Sequence, residues 1–194
     1  MHMKPNALHH WWLPVCLMTL SGLLQFGAPA TSEWLRLEPG IMGNGEVWRL
    51  LTAHFVHLSW SHYLMNGIAL LAIFALYAPA PRVLGWWMLA SAGAVSLGLL
   101  SLNPWLAWYV GLSGVLHGVL VAGSLRDSLA RDFTGVIMLL AVLIKLIWEQ
   151  INGPMPGSEA AAGGKVIVDA HLYGAAGGAA ALAAQRACVR WRAR

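Results

Sequence analysis

The chain has 194 residues, of which 58% are hydrophobic and only 10% charged, with a formal net charge of +4. A soluble domain carries about 25% charged residues, so this composition excludes an ordinary soluble surface. It points to an integral membrane protein built as one domain over residues 1–194. In such a chain a basic surplus marks cytoplasmic loops and gives no reason to expect a nucleic-acid partner. Two cysteines, Cys16 and Cys188, lie near opposite ends and read as packing residues, not as a disulfide framework.

Residues 13–26 form an apolar run after Lys4, His9 and His10, and Ala28-Pro29-Ala30 follows. This start has two readings. One is a secretory signal peptide with an Ala-x-Ala site; the other is a retained first membrane helix over about residues 11–28, with Trp11 and Trp12 at the interface. The retained helix fits a chain in which further spans follow. From Thr31 to Ser61 the charges Glu33, Arg36, Glu38, Glu46 and Arg49 are spread among apolar residues, and no window is long enough to span. A long outer loop with short interfacial helices is expected here, broken at Gly40, Gly43 and Gly45. Five further stretches, 62–78, 84–102, 110–125, 133–151 and 170–187, have span length, the fourth being short. The connection Asn152–Val168 is rich in Gly, Pro and Ala and is expected to be mobile.

Lys4, Arg82, Arg126, Arg131, Arg186, Arg190, Arg192 and Arg194 then fall on one side, and Arg36, Arg49 and Lys165 on the other; Lys145 lies within the fifth span. By the positive-inside rule both termini are cytoplasmic, in agreement with an even number of spans. The expectation is an all-α membrane bundle of six transmembrane helices with a long outer first loop.

Polar residues gather at the outer ends of three spans. The second span carries His62 and Asn66, four apart and so on one helical face. The fourth carries Ser113 between Gly111-Leu112 and Gly114, with His117 four residues on. The sixth begins Asp169-Ala-His171. Interhelical hydrogen bonding would account for any one histidine, but polar groups at one depth on three spans point to a single wet site. A hydrolase needs a nucleophile, a base and oxyanion donors. Ser113 can be the nucleophile and His171 its base if the fourth and sixth helices touch. Gly114 and Gly118 on one helix, with Ala170, Gly174 and Gly178 on the other, form small-residue stripes that permit this. His62, Asn66 and the Ser113 backbone N–H can then supply oxyanion donors. A soluble α/β-hydrolase elbow is absent, since position 115 is Val. Haem or metal ligation by His62, His117 and His171 is an alternative, but no His-Glu-x-x-His or Cys-x-x-Cys pattern supports it, so neither metal nor cofactor is expected.

Trp48-Arg49, the His57-x4-His62-x3-Asn66 spacing, Gly111-Leu112-Ser113-Gly114 and Ala170-His171-x2-Gly174-x3-Gly178 occur in this order between Glu46 and Ala187. Together they resemble the rhomboid intramembrane serine proteases. The resemblance implies a six-helix bundle with a partly embedded first loop, a Ser113–His171 dyad, and oxyanion stabilisation by His62 and Asn66. The run Gly-Leu-Ser-Gly-Val-Leu-His-Gly is most similar to the rhombosortase subgroup of Gram-negative bacteria, with His117 where many rhomboids place an aromatic. That likeness implies an inner-membrane protease whose partners are membrane-anchored proteins with C-terminal Gly-Gly anchor tails. Such a segment would enter beside the fifth helix and the 152–168 loop. Other readings stay open: a rhomboid protease with other single-span substrates, an inactive helix-binding relative, or a small channel or transporter. Intact Ser113 and His171 argue against the inactive relative, and the absence of repeats and broken helices against the channel.

Overall fold

The computed structural model describes residues 10–192, so Lys4, His9 and Arg194 lie outside the described residues. The order is α1 Trp12–Phe26, α2 Ala30–Leu35, α3 Arg49–Thr52 running into a 3-10 turn Ala53–Phe55, α4 Trp60–Tyr77, α5 Pro81–Leu102, α6 Ser113–Leu129, α7 Phe133–Asn152, α8 Ser158–Ala162 and α9 Val168–Arg192. The starts have local causes. Ser59 caps α4 by accepting from the His62 N–H at 3.1 Å, and Asp132 caps α7 by accepting from Thr134 and Gly135 at 2.8 and 3.2 Å. Pro81 opens α5 with a φ already suited to a helix.

By length and composition, α4, α5 and α7 are long and apolar enough to cross a membrane. α1 is apolar but has only 15 residues. The last turns of α6 carry Arg126 and Asp127, and α9 is dominated by Ala and Gly; charges in the first and small residues in both lower the hydropathy.

Those small residues organise the packing. A Cβ added to Gly114 would stand 2.8 Å from the Ala170 carbonyl oxygen, and one on Gly174 or Gly178 would collide with the carbonyl of Gly114 or Gly118. The α6 and α9 backbones therefore lie in direct contact, the geometry that small-residue stripes allow. α9 also packs on α5, where Trp86 Nε1 donates to the Ala181 carbonyl at 3.0 Å and Trp87 Nε1 to Gln185 Oε1 at 3.1 Å. α1 lies on α4, with the Tyr63 hydroxyl donating to the Met18 carbonyl at 3.1 Å and the Trp11 and Phe74 rings 4.7 Å apart. Phe74, Leu70, Leu84, Trp87, Val115 and Val119 fill the core between these helices.

The segment before α4 is fastened to the bundle. Arg49, buried, donates to the carbonyls of Glu33 and Arg36 at 2.9 and 3.1 Å and pairs with Glu46 at 3.2 Å. Leu37 and Tyr109 exchange backbone bonds of 3.0 and 2.8 Å, an isolated antiparallel bridge.

Two expectations need correction. The 152–168 connection is not simply a loose loop. It contains α8, whose carbonyls at Ala161 and Ala162 accept from Ser61 and Ser59 at 2.6 and 2.8 Å; hydroxyls at the start of α4 supply the fastening that its Gly-rich composition does not reveal. Cys16 and Cys188 are both free and exposed, so neither is a packing residue; each sits on an outward helix face.

Gly178→Ala is expected to destabilise the bundle by about 1–3 kcal/mol through overpacking, and Gly178→Leu to do more. Thermal melting in detergent measures this, and unchanged melting for both would mean that α6 and α9 separate freely.

Candidate active site

Ser113 is the first residue of α6, and no side chain caps that helix. The first N–H groups are thus left free, and the helix dipole puts a positive field around Ser113. The approach to it is held rigidly. The Tyr109 hydroxyl donates to the Gly111 carbonyl at 2.8 Å, and the Gly111 N–H donates to the Ala53 carbonyl at 3.0 Å. Gly111 has φ +122°, and a Cβ there would meet His62 Cε1 at 2.8 Å. Only glycine both adopts this conformation and leaves room for the imidazole.

His171 lies in the first turn of α9. That turn is fixed by its neighbours, since Asn103 Nδ2 donates to Asp169 Oδ2 at 2.5 Å and the Tyr173 hydroxyl donates to Asn103 Oδ1 at 2.9 Å. The glycine contact of α6 with α9 then sets the separation. Ser113 Oγ and His171 Nε2 are 3.0 Å apart. On the other side of the ring, His171 Nδ1 is 2.8 Å from Glu149 Oε2, and Lys145 Nζ donates to Glu149 Oε1 at 2.6 Å. A carboxylate oxygen accepts, so Nδ1 carries the proton and Nε2 of the neutral ring is free to accept from the serine hydroxyl. His117 stacks on His171, with centroids 4.1 Å apart and planes 18° from parallel. Its Nδ1 donates to the Ser113 carbonyl at 2.8 Å, which fixes that ring.

His62 lines a cleft of about 400 Å³ together with Ser113, the 105–110 segment and residues 163–167. The Leu58 N–H points at His62 Nδ1 at 3.4 Å, a long contact that leaves Nε2 as the protonated nitrogen. Asn66, one turn further along α4, has its Nδ2 buried without a protein partner. Both ring nitrogens of His57 are buried without a protein partner as well. Behind His62 stands His57, with ring centroids 5.1 Å apart. Burial, and to a lesser degree the nearby His62, pushes His57 down to about 3. Burial likewise pushes His54 down to about 4; its Nε2 lies 3.0 Å from Ser96 Oγ. Both are therefore neutral around pH 7 and add no charge behind His62.

Among the described residues, His117, Glu149 and His171 have ligand atoms within 4.8 Å of one another. A metal ion there would have to displace the His171 contacts to Ser113 or to Glu149, so the set fits a hydrogen-bonded chain better than a metal centre. Of the residues singled out in the sequence, Ser113 and His171 meet directly, His117 stacks on His171, His62 lies against Gly111, and Gly114 faces Ala170 and Gly174; Gly178 meets Gly118 further along the seam, and Asn66 lies one turn along α4 from His62. Glu149 was missed. Its signal was present, because a carboxylate inside an apolar helix is a functional candidate by default, but its partner Lys145 four residues earlier makes it look self-neutralised.

A family model described as the rhomboid domain matches residues 44–187. The searches of curated proteins and of solved structures return no match.

A fluorophosphonate probe is expected to label the purified protein at Ser113. Ser113→Ala should abolish labelling, and His171→Ala should slow it by roughly 10³-fold or more, as for members of a unit that act together. Mass spectrometry of the adduct checks the site, and an adduct on Ser113→Ala would place the nucleophile elsewhere.

Proposed function

The chain belongs to the rhomboid family of intramembrane serine proteases, which are multi-pass membrane proteins, and on that premise we propose that it is a serine endopeptidase that cuts the C-terminal membrane anchor of exported proteins. The observation that carries this reading is the 3.0 Å approach of Ser113 Oγ to His171 Nε2 at the uncapped start of α6. In the proposed arrangement α1, α4, α5, α6, α7 and α9 cross the inner membrane of a Gram-negative cell, with both termini cytoplasmic and Ser113 near the outer face.

The proposed reaction follows from the hydrogen-bond directions. Ser113 Oγ attacks the scissile carbonyl carbon while its proton moves to His171 Nε2. The carbonyl oxygen gains the charge. The Ser113 N–H, His62 Nε2 and Asn66 Nδ2 are the donors offered to it, aided by the helix N-terminus. Collapse of this intermediate breaks the C–N bond, and the Nε2 proton goes to the leaving amine. Water or a second amine then attacks the acyl-serine, giving its proton back to Nε2 and returning the hydroxyl to Ser113.

The site lies within a bundle whose α7 face is broadly apolar, with Ile137, Leu140, Ile144 and Ile147 exposed. A substrate segment entering beside α7 must pass the 153–167 segment, so the Ser59 and Ser61 bonds to α8 are the fastenings that opening would break. A regular helix hides its carbonyls, so the segment must unwind to be cut. Glycine eases unwinding, being about 1 kcal/mol less favourable than Ala in a helix interior. The stacked His117, on which the likeness to the rhombosortase subgroup partly rests, favours a Gly-Gly anchor tail as the substrate.

Asn66→Ala is expected to lower kcat by roughly 10²-fold with little change in KM, as for loss of one oxyanion donor. A change confined to KM would make Asn66 a substrate-binding residue.

Co-expression with a reporter ending in a Gly-Gly pair, one apolar span and basic residues is expected to give cleavage close to the glycines, mapped by mass spectrometry. If that reporter stays intact while a single-span reporter lacking the pair is cut, the subgroup assignment fails and the broader protease reading stands.

A further inference from the structure

We propose that Glu149 is the third member of a Ser113–His171–Glu149 relay, a positioning residue that holds His171 in the tautomer able to take the serine proton and balances the imidazolium formed as Ser113 attacks. This rests on the role proposed above for Ser113 and His171.

The burial of Glu149 is what a mere ion pair does not explain. Its side chain is 2% exposed, whereas that of Lys145 is 35% exposed. A pair serving only to neutralise Lys145 would sit on the outward helix surface, where such i,i+4 pairs contribute little to stability. Here the acid is turned inward on the face of α7 that also buries Val142 and Leu146, and burying a carboxylate is costly unless both oxygens are satisfied. They are: Oε1 accepts from Lys145 and Oε2 from His171 Nδ1. The other carboxylate close in sequence to His171, Asp169, is engaged by Asn103 instead.

The charged and titratable groups around the His171 ring are Glu149 and Lys145 from α7, His117 from α6, His62 from α4 and Asp169 on its own helix. Among these Glu149 alone is an acid bonded to the ring, so it alone can favour the imidazolium directly. The Nδ1 proton stays on His171 throughout; only the Ser113 O–H bond breaks, its proton passing to Nε2. Lys145 completes the arrangement by neutralising the acid before the imidazolium exists.

The test measures the inactivation rate constant and the apparent affinity of the fluorophosphonate separately, on the purified full-length protein in detergent. The variants are Glu149→Gln, Glu149→Ala, Glu149→Asp and Ser113→Ala. Gln is nearly isosteric, and thermal melting is the control for folding; Ala covers the case in which the amide hydrogen-bonds as the acid does. Gln and Ala are expected to slow inactivation by on the order of 10²-fold or more at unchanged apparent affinity, and Asp to recover part of the loss. Wild-type rates in both the Gln and Ala variants, with labelling lost in Ser113→Ala, would overturn the role of Glu149 while leaving the serine–histidine pair intact. Undiminished labelling of Ser113→Ala would overturn both readings together.

Discussion

The α6 and α9 backbones touch, and most of what matters at the candidate site follows from that contact. Two helices with ordinary side chains pack 8–10 Å apart; glycines at 114, 118, 174 and 178 remove the spacers, so the carbonyl of one helix occupies the place of a side chain on the other. Ser113 and His171 each stand beside this seam. Their 3.0 Å separation is therefore set by backbone against backbone, which is stiffer than any contact between flexible side chains. The low hydropathy of both helices is the counterpart of the same choice, since glycine and alanine bring helices together but contribute little apolar surface.

The second constraint is electrostatic. An apolar bundle penalises unpaired charge and unpaired donors. Around the site the ionised groups occur as partners, Lys145 with Glu149, and the histidines lean on one another by stacking or by edge contact. His54 and His57 are kept neutral by burial. Asn66 Nδ2 and both ring nitrogens of the neighbouring His57 are buried without a protein partner, and Asn66 and His62 share one face of α4. In the proposed reaction His62 Nε2 and Asn66 Nδ2 meet a charge that exists only while the intermediate does, and donors already in place there would supply preorganised stabilisation.

The parts outside the helices act as rigid supports. Arg49 draws the segment around α2 together by bonding two of its carbonyls. The Leu37–Tyr109 bridge passes that rigidity to the strand-like approach to Ser113, and Gly111 completes the bend beside His62. On the opposite flank Asn103 ties the end of α5 to the first turn of α9. The 153–167 segment is held by the hydroxyls of Ser59 and Ser61, by the buried Ala162 and by Lys165 over the Trp105 ring at 4.8 Å.

The sequence by itself determined the membrane character, the positions of the long helices and the residue types of the site. It could do so because spans need length and apolarity, because histidine, asparagine and serine in such spans are conspicuous, and because spacings of four place residues on one helical face. The glycine stripes even indicated which helices approach. What only the tertiary structure decided is which neighbours those residues meet. Glu149 lies four residues after Lys145, a proximity that a sequence can show, while its bond to His171 depends on how α7 is rotated against α6 and α9. The fastening of α8 to Ser59 and Ser61 was hidden for the same reason, being about a hundred residues away along the chain. The outward-facing cysteines were misread because composition gives no helix rotation. Periodicity sets what a helix offers on each face; the choice of which face meets which partner is made by packing between helices, and no single helix encodes it.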